Sequence, residues 1–266
     1  MAGAVHYAAR AAFGVGAGLV RVAAAPESVS SLQASLPEVT AVSTALGPEP
    51  EPALLDLLGW ADAVVVGPGL GRGDSRTAFV RAVLESTQVP VVLDADALHS
   101  GREALFAGSV PRVLTPHLGE FAAMRGETVE PESFDPFAVA AREVDEVGLG
   151  PAYGLLLKGV PTVVAVQGSR QHLVASGNPA LATGGSGDLL AGFIGTFLAR
   201  GLEPQVAGSL GAHILGRAAE AASELSGVRS TRPADVLEAL PEALEHLSAP
   251  GPVPPVLISL EPPATA

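Results

Sequence analysis

The chain has 266 residues, 48% of them apolar, and a formal net charge of −13. That balance argues against nucleic acid or an anionic membrane as a partner. The absence of cysteine removes disulfides, thiol chemistry and zinc–thiolate sites. The length suits one large α/β domain. No apolar run reaches membrane-span length and the first residues lack a signal-peptide pattern, so a cytoplasmic home is expected.

In chain order, residues 2–13 are rich in small side chains and read as a helix, ended by the glycines of 14–18. Residues 19–24 read as a strand. The run 62–67 is continuously apolar, as in a strand buried on both faces, and so are 89–93 and, less clearly, 112–115. Helical patterns at 52–58, 76–85 and 120–124 alternate with these strands. That alternation predicts a parallel sheet with helices on both faces. Near Leu155 the rhythm changes. Residues 155–158, 162–167 and 171–175 read as short strands joined by tight turns, with Gly168-Ser169 as a hairpin turn, so this edge is expected to be antiparallel.

The stretch 178–192 follows. Glycines crowd its first half, and Leu189, Phe193, Ile194, Phe197 and Leu198 then recur at helical spacing. A loop poor in side chains that runs into a helix N-terminus offers free N–H groups and the positive end of a dipole, which together bind anions. Glycine lets the backbone approach a phosphate without a Cβ in the way. Asp188 sits in the first helical turn, where it would repel that phosphate. It makes more sense as a base that takes a proton from a hydroxyl beside the phosphate; the plainer reading is an ordinary first-turn aspartate. Helices over 204–224 and 233–247 close the domain, the second with Pro233 near its first turn. Residues 248–266 are Pro-rich and nearly uncharged, and are expected to be a mobile tail beyond a domain of residues 1–247.

In such sheets ligands bind at the carboxyl ends of the strands. Four consecutive strand ends are loaded with polar or glycine residues: Gly67-Pro68-Gly69-Leu70-Gly71, Asp94-Ala95-Asp96, Thr115-Pro116-His117-Leu118-Gly119-Glu120, and Lys158-Gly159. Singly, each has a duller account. Gly67 to Gly71 could be a plain turn, Asp94 and Asp96 could cap a helix, His117 could be a satisfied loop histidine, and Lys158 could be surface charge.

These motifs occur in the order found in a known family. With Leu93-Asp94-Ala95-Asp96-Ala97-Leu98, Lys158-Gly159 followed by Thr162, and Gly184-Gly185-Ser186-Gly187-Asp188, the sequence resembles the ADP- or ATP-dependent NAD(P)H-hydrate dehydratases of the ribokinase-like superfamily. The match covers about residues 3–247. It implies a three-layer α/β sandwich with a mostly parallel central sheet and antiparallel edge strands. It also implies repair of hydrated NADH or NADPH at the cost of a nucleotide phosphate, with ADP or ATP as co-substrate and Mg²⁺ as cofactor. By position, Lys158, Gly159, Val160, Pro161 and Thr162, with Gly184, Gly185, Ser186 and Gly187, would contact the nucleotide. Ala4, Gly69, His117 and Asp188 would contact the hydrated dinucleotide, and Asp188 would be the base. A homo-oligomer, such as a tetramer, working with an NAD(P)H-hydrate epimerase is the assembly implied. The nearest rivals are a small-molecule alcohol kinase of the same superfamily and a nucleotide-binding relative without catalysis.

Four departures stand out. Leu118 takes the place of a usual proline, His99 that of an asparagine, and His213 with Leu215 that of a Tyr-x-x-His pattern. The family also begins with a strand and a Gly-Gly-Ser loop before the helix of residues 2–13, so the first strand of the sheet is expected to be missing. A chain extended upstream is then expected to be more stable and more soluble.

Overall fold

The computed structural model describes residues 2–128 and 134–248, so the expected tail lies outside the described residues apart from Ser248. The first part of the chain holds α1 (Ala2–Gly14), β1 (Arg21–Ala24), α2 (Pro26–Ser35), β2 (Thr40–Ser43), α3 (Pro52–Trp60), β3 (Val64–Val66) and α4 (Asp74–Ser86). Then come β4 (Val91–Leu93), α5 (Gly101–Leu105), β5 (Arg112–Leu114), α6 (Leu118–Arg125), α7 (Pro136–Val147), β6 (Tyr153–Leu157), β7 (Thr162–Ala165) and β8 (His172–Val174). Four helices follow: α8 (Ser186–Ala199), α9 (Pro204–Ser226), α10 (Pro233–Glu238) and α11 (Leu240–Ser248).

Six strands form one sheet in the order β3-β4-β5-β6-β7-β8. The pairs from β3 to β6 are parallel, and β7 and β8 add antiparallel. The connection at 158–161 is too short for a crossover and can only turn the chain back, whereas the parallel strands are joined through helices. Successive side chains point to opposite faces. Val92, Val113, Leu156 and Val164 pack with Leu189, Phe193 and Ile194 of α8 and with Ala207 and Ala218 of α9. Val91, Leu93, Leu114, Leu155 and Leu157 pack with Phe79 of α4, Phe121 of α6 and Val144 of α7. Both faces are covered, which explains the unbroken apolar runs. The result is the expected three-layer sandwich.

The strand at 19–24 does not join this sheet. β1 pairs in parallel with β2 as a separate two-stranded sheet, packed on Leu32 of α2. A cavity of about 640 Å³ lies between β1 and β3, lined by Ala23, Val65, Val5 and Ala8 of α1 and Gly195 of α8. The helix read at 233–247 is two helices that break at Ala239, because Pro241 has no N–H to continue the ladder.

Candidate active site

The parallel strands place their last residues side by side, with Leu93, Leu114 and Leu155 in register. The next residues therefore converge. Asp94 follows β4 and is 1% exposed. Its Oδ1 accepts from the Thr115 hydroxyl at 2.7 Å and from Lys158 Nζ at 2.9 Å. It caps no helix with its side chain. Asp96 is not a cap either: it fastens the glycine loop after β3, accepting from Gly71 N–H at 2.9 Å and Arg72 Nε at 3.1 Å. Gly69 sits in that loop with φ 67. At Gly67, φ is 125 and a Cβ would overlap the Asp94 carbonyl oxygen, so glycine is required there. Ala95, between the two aspartates, has φ 50, a conformation that costs a non-glycine residue about 1 kcal/mol.

The Lys158 main chain is fixed as well. Its N–H donates to Pro116 O at 2.8 Å, and a parallel bridge joins it to His117. His117 opens α6 through a capping box: its N–H donates to Glu120 Oε2 at 2.9 Å, and its Nδ1 accepts from Glu120 N–H at 3.2 Å. An accepting Nδ1 leaves Nε2 to carry the proton of a neutral ring. The His117 side chain is 59% exposed, so the ring stands at the rim. Glu120 Oε2 also lies 3.5 Å from Lys158 Nζ. Burial alone would push the Lys158 ammonium down, but Asp94 and Glu120 outweigh it and hold it above its ordinary value. Past Lys158, Thr162 closes the turn Gly159-Val160-Pro161 by donating to Gly159 O at 3.2 Å.

The glycine loop enters α8 with Gly185 in the left-handed region, φ 103, and no side-chain cap. A Cβ on Gly185 would stand 3.0 Å from Pro233 and 3.2 Å from the Tyr7 ring, so the loop is held between α1 and α10. Ala4 lies one helical turn before Tyr7. Ser186 N–H is used in the turn, donating to Thr183 O at 3.3 Å. Among the described residues the N–H groups of Gly187 and Asp188 have no acceptor, and Ser186 Oγ is buried without a hydrogen-bond partner. A Cβ on Gly187 would stand 3.4 Å from Lys158 Nζ and 3.5 Å from Asp94 Oδ2. The Asp188 carboxyl is pushed up to about 6, first by burial and then by the charge of Asp94, with Lys158 opposing.

Lys158, Gly187 and Asp188 thus come together around Asp94. His117 is tied to them through Glu120, and Gly69 through the loop that Asp96 fastens. Val160 lies fully exposed on the outer turn. Thr115 and Glu120 carry structure that a motif reading passes over. Their signal is their place at neighbouring strand ends. Of the departures, His213 pairs with Ser176 at 3.1 Å. No group of three or more His, Cys, Asp or Glu is arranged to hold a metal ion among the described residues.

A family model described as NAD(P)H-hydrate dehydratase matches residues 1–242. The bifunctional NAD(P)H-hydrate repair enzyme Nnr of Moorella thermoacetica is 38% identical over 259 residues, covering 93% of this chain and 48% of the relative. The enzyme of the same name from Escherichia coli is 35% identical, covering 90% of this chain and 44% of its own. The chain therefore spans about half the length of the curated relatives it matches. The ADP/ATP-dependent NAD(P)H-hydrate dehydratase of Bacillus subtilis, co-crystallised with ATP/Mg²⁺, superposes with a TM-score of 0.77 at 26% identity, covering 92% of this chain and 85% of that one. A hydroxyethylthiazole kinase from Pyrococcus horikoshii shares the fold, with a TM-score of 0.58 at 20% identity, covering 90% of this chain and 93% of that one.

Proposed function

The chain belongs to the NAD(P)H-hydrate dehydratase family, and from that premise we propose that it uses ADP or ATP to dehydrate the S-form of hydrated NADH or NADPH back to the reduced cofactor. The observation that carries this reading is Asp188, a carboxylate with raised proton affinity beside two N–H groups that have no acceptor. A carboxylate near 6 is ionised at neutral pH and still takes up a proton readily, as a general base must. Asp188 removes the proton of the ring hydroxyl. The oxygen attacks the terminal phosphoryl group, and the bond from that phosphorus to the rest of the nucleotide breaks. The N–H groups of Gly187 and Asp188 and the Ser186 hydroxyl stabilise the charge on the group in transfer. The ring nitrogen lone pair then expels the phosphate ester, and loss of a proton from the adjacent ring carbon restores the double bond.

In this reading Lys158, the turn to Thr162 and the loop Gly184 to Gly187 hold the nucleotide, and Ala4, Gly69 and His117 hold the dinucleotide. Mg²⁺ would enter with the nucleotide and offset the charge of its phosphates, which so acidic a chain cannot do alone. A hydrate epimerase, supplying the reactive epimer, is the second activity that would fit the word bifunctional in the relatives' names. The test is to incubate the protein with hydrated NADH, Mg²⁺ and either nucleotide. Reduced-nicotinamide absorbance should return with stoichiometric phosphate release. A product that keeps the phosphate would point to an alcohol kinase instead.

A further inference from the structure

We propose that Asp94 is a positioning residue: it holds the Lys158 ammonium at the strand ends and so keeps that cation off the Asp188 carboxylate. The proposal rests on the reading of Asp188 as the base. Lys158 is anchored by its main chain to Pro116 O, so only its side chain can swing. Its Nζ lies 3.4 Å from the place of a Cβ on Gly187, the residue before Asp188. The first turn of α8 is therefore within the ammonium's reach. Three carboxylates compete for this one cation. Asp94 is at 2.9 Å with its side chain 2% exposed, and Glu120 is at 3.5 Å. Asp188 is the third.

Asp94 wins by geometry. The Thr115 hydroxyl donates to the same Oδ1 and fixes the carboxylate against the sheet. Glu120 shares its Oε2 with the His117 N–H. The charged side chains acting on Asp188 are Asp94 at the end of β4, Asp96 in the turn after it and Lys158 at the end of β6. If Asp94 lost its charge, Lys158 would be left with Glu120 and Asp188. A Lys158–Asp188 pair would hold the base as a stable carboxylate with too little proton affinity for its task.

The test reads Asp188 directly. The protein is labelled with ¹³C-carboxyl aspartate and the Asp188 signal, assigned by its absence in Asp188→Asn, is followed through pH. The wild-type midpoint should lie near the value of about 6 given by the structure. In Asp94→Asn it should fall by about one pH unit or more, and by more than the same substitution lowers it in the Lys158→Met background, where only the lost charge of Asp94 acts; equal falls in the two backgrounds overturn the proposal. In Lys158→Met it should rise. An unchanged midpoint in folded Asp94→Asn overturns the proposal. If Asp94→Asn does not fold, Asp94→Ser takes its place in the same comparison, and an unchanged midpoint there overturns the proposal. If both midpoints move as stated while the wild type dehydrates no hydrate, the positioning stands and the proposed function fails.

Discussion

Gly192 of α8 faces the carbonyl oxygen of Ala8 of α1 with no room for a side-chain atom between them. A Cβ on Gly192 would overlap that oxygen and stand 2.9 Å from Ala11 Cβ. Thr196, one turn on, donates to Ala12 O at 3.3 Å and fixes the same contact. This approach sets the height of α1 over α8, and α1 carries Tyr7 to the glycine loop. Gly192→Ala is therefore expected to cost about 2–3 kcal/mol, since it is backbone that must move. Urea unfolding measures it. A loss below about 0.5 kcal/mol would show that α1 slides over α8 without strain.

Asp188→Asn should make the protein more stable and less active. The native carboxyl holds its proton up to about 6, against 3.8 for an ordinary aspartate. A raised carboxylate contributes stability that is full below the unfolded value and is lost as pH rises through the folded one. The substitution removes that loss. Its gain should be near zero at pH 3.5 and reach roughly 1 kcal/mol above pH 6.5, after allowing for solvent screening. Turnover should fall roughly a hundredfold or more, with nucleotide binding kept. Thermal unfolding across pH, paired with a turnover assay, gives both readings. A mutant with near-normal turnover would remove Asp188 from the chemistry.

Lys158→Ala separates the two ligands. It leaves the buried Asp94 without its cation, so stability should drop by about 3 kcal/mol. Beyond that, nucleotide affinity should fall about tenfold or more, the loss of a charge-assisted contact, while dinucleotide affinity changes far less. Calorimetric titration of each ligand at a temperature where the variant is folded makes the comparison. Equal losses for both would mark Lys158 as structural alone.

What was legible in the sequence follows from range. β3 and β4 were legible as unbroken apolar runs, and β5 less clearly, because it opens on the buried Arg112. Asp188 stood out because a glycine loop and a helix start are local. α2 was hidden: its serine-rich sequence buries Leu32 alone, so it carries no clear period. α7 went unread although Asp135 accepts from Phe137 N–H and Ala138 N–H, Pro136 opens the helix and Gly148 ends it. The part played by Asp94 could not be read locally at all. Its partner Lys158 is 64 residues away and meets it because three strand ends lie side by side.

The gap between the two sheets makes a residue-specific prediction. In a parallel ladder, alternate residues bond to alternate neighbours. Thr40 N–H donates to Val20 O and Thr44 N–H to Ala24 O, so the even-numbered residues of β1 bond to β2. Val64 N–H donates to Pro90 O and Asp94 N–H to Val66 O, so the even-numbered residues of β3 bond to β4. That leaves the main-chain groups of Ala23 and Val65 facing the cavity that both line. Such edges exchange their amides readily and invite pairing with other strands. Hydrogen exchange by NMR should find the Ala23 and Val65 amides about five- to a hundredfold faster than those of Val22 and Val64, as the ~1–3 kcal/mol of an unmade bond implies. Salt or dilution should not alter the ratio. Equal protection of Ala23 with Val22, and of Val65 with Val64, would mean that a strand occupies the gap and that the two sheets are one.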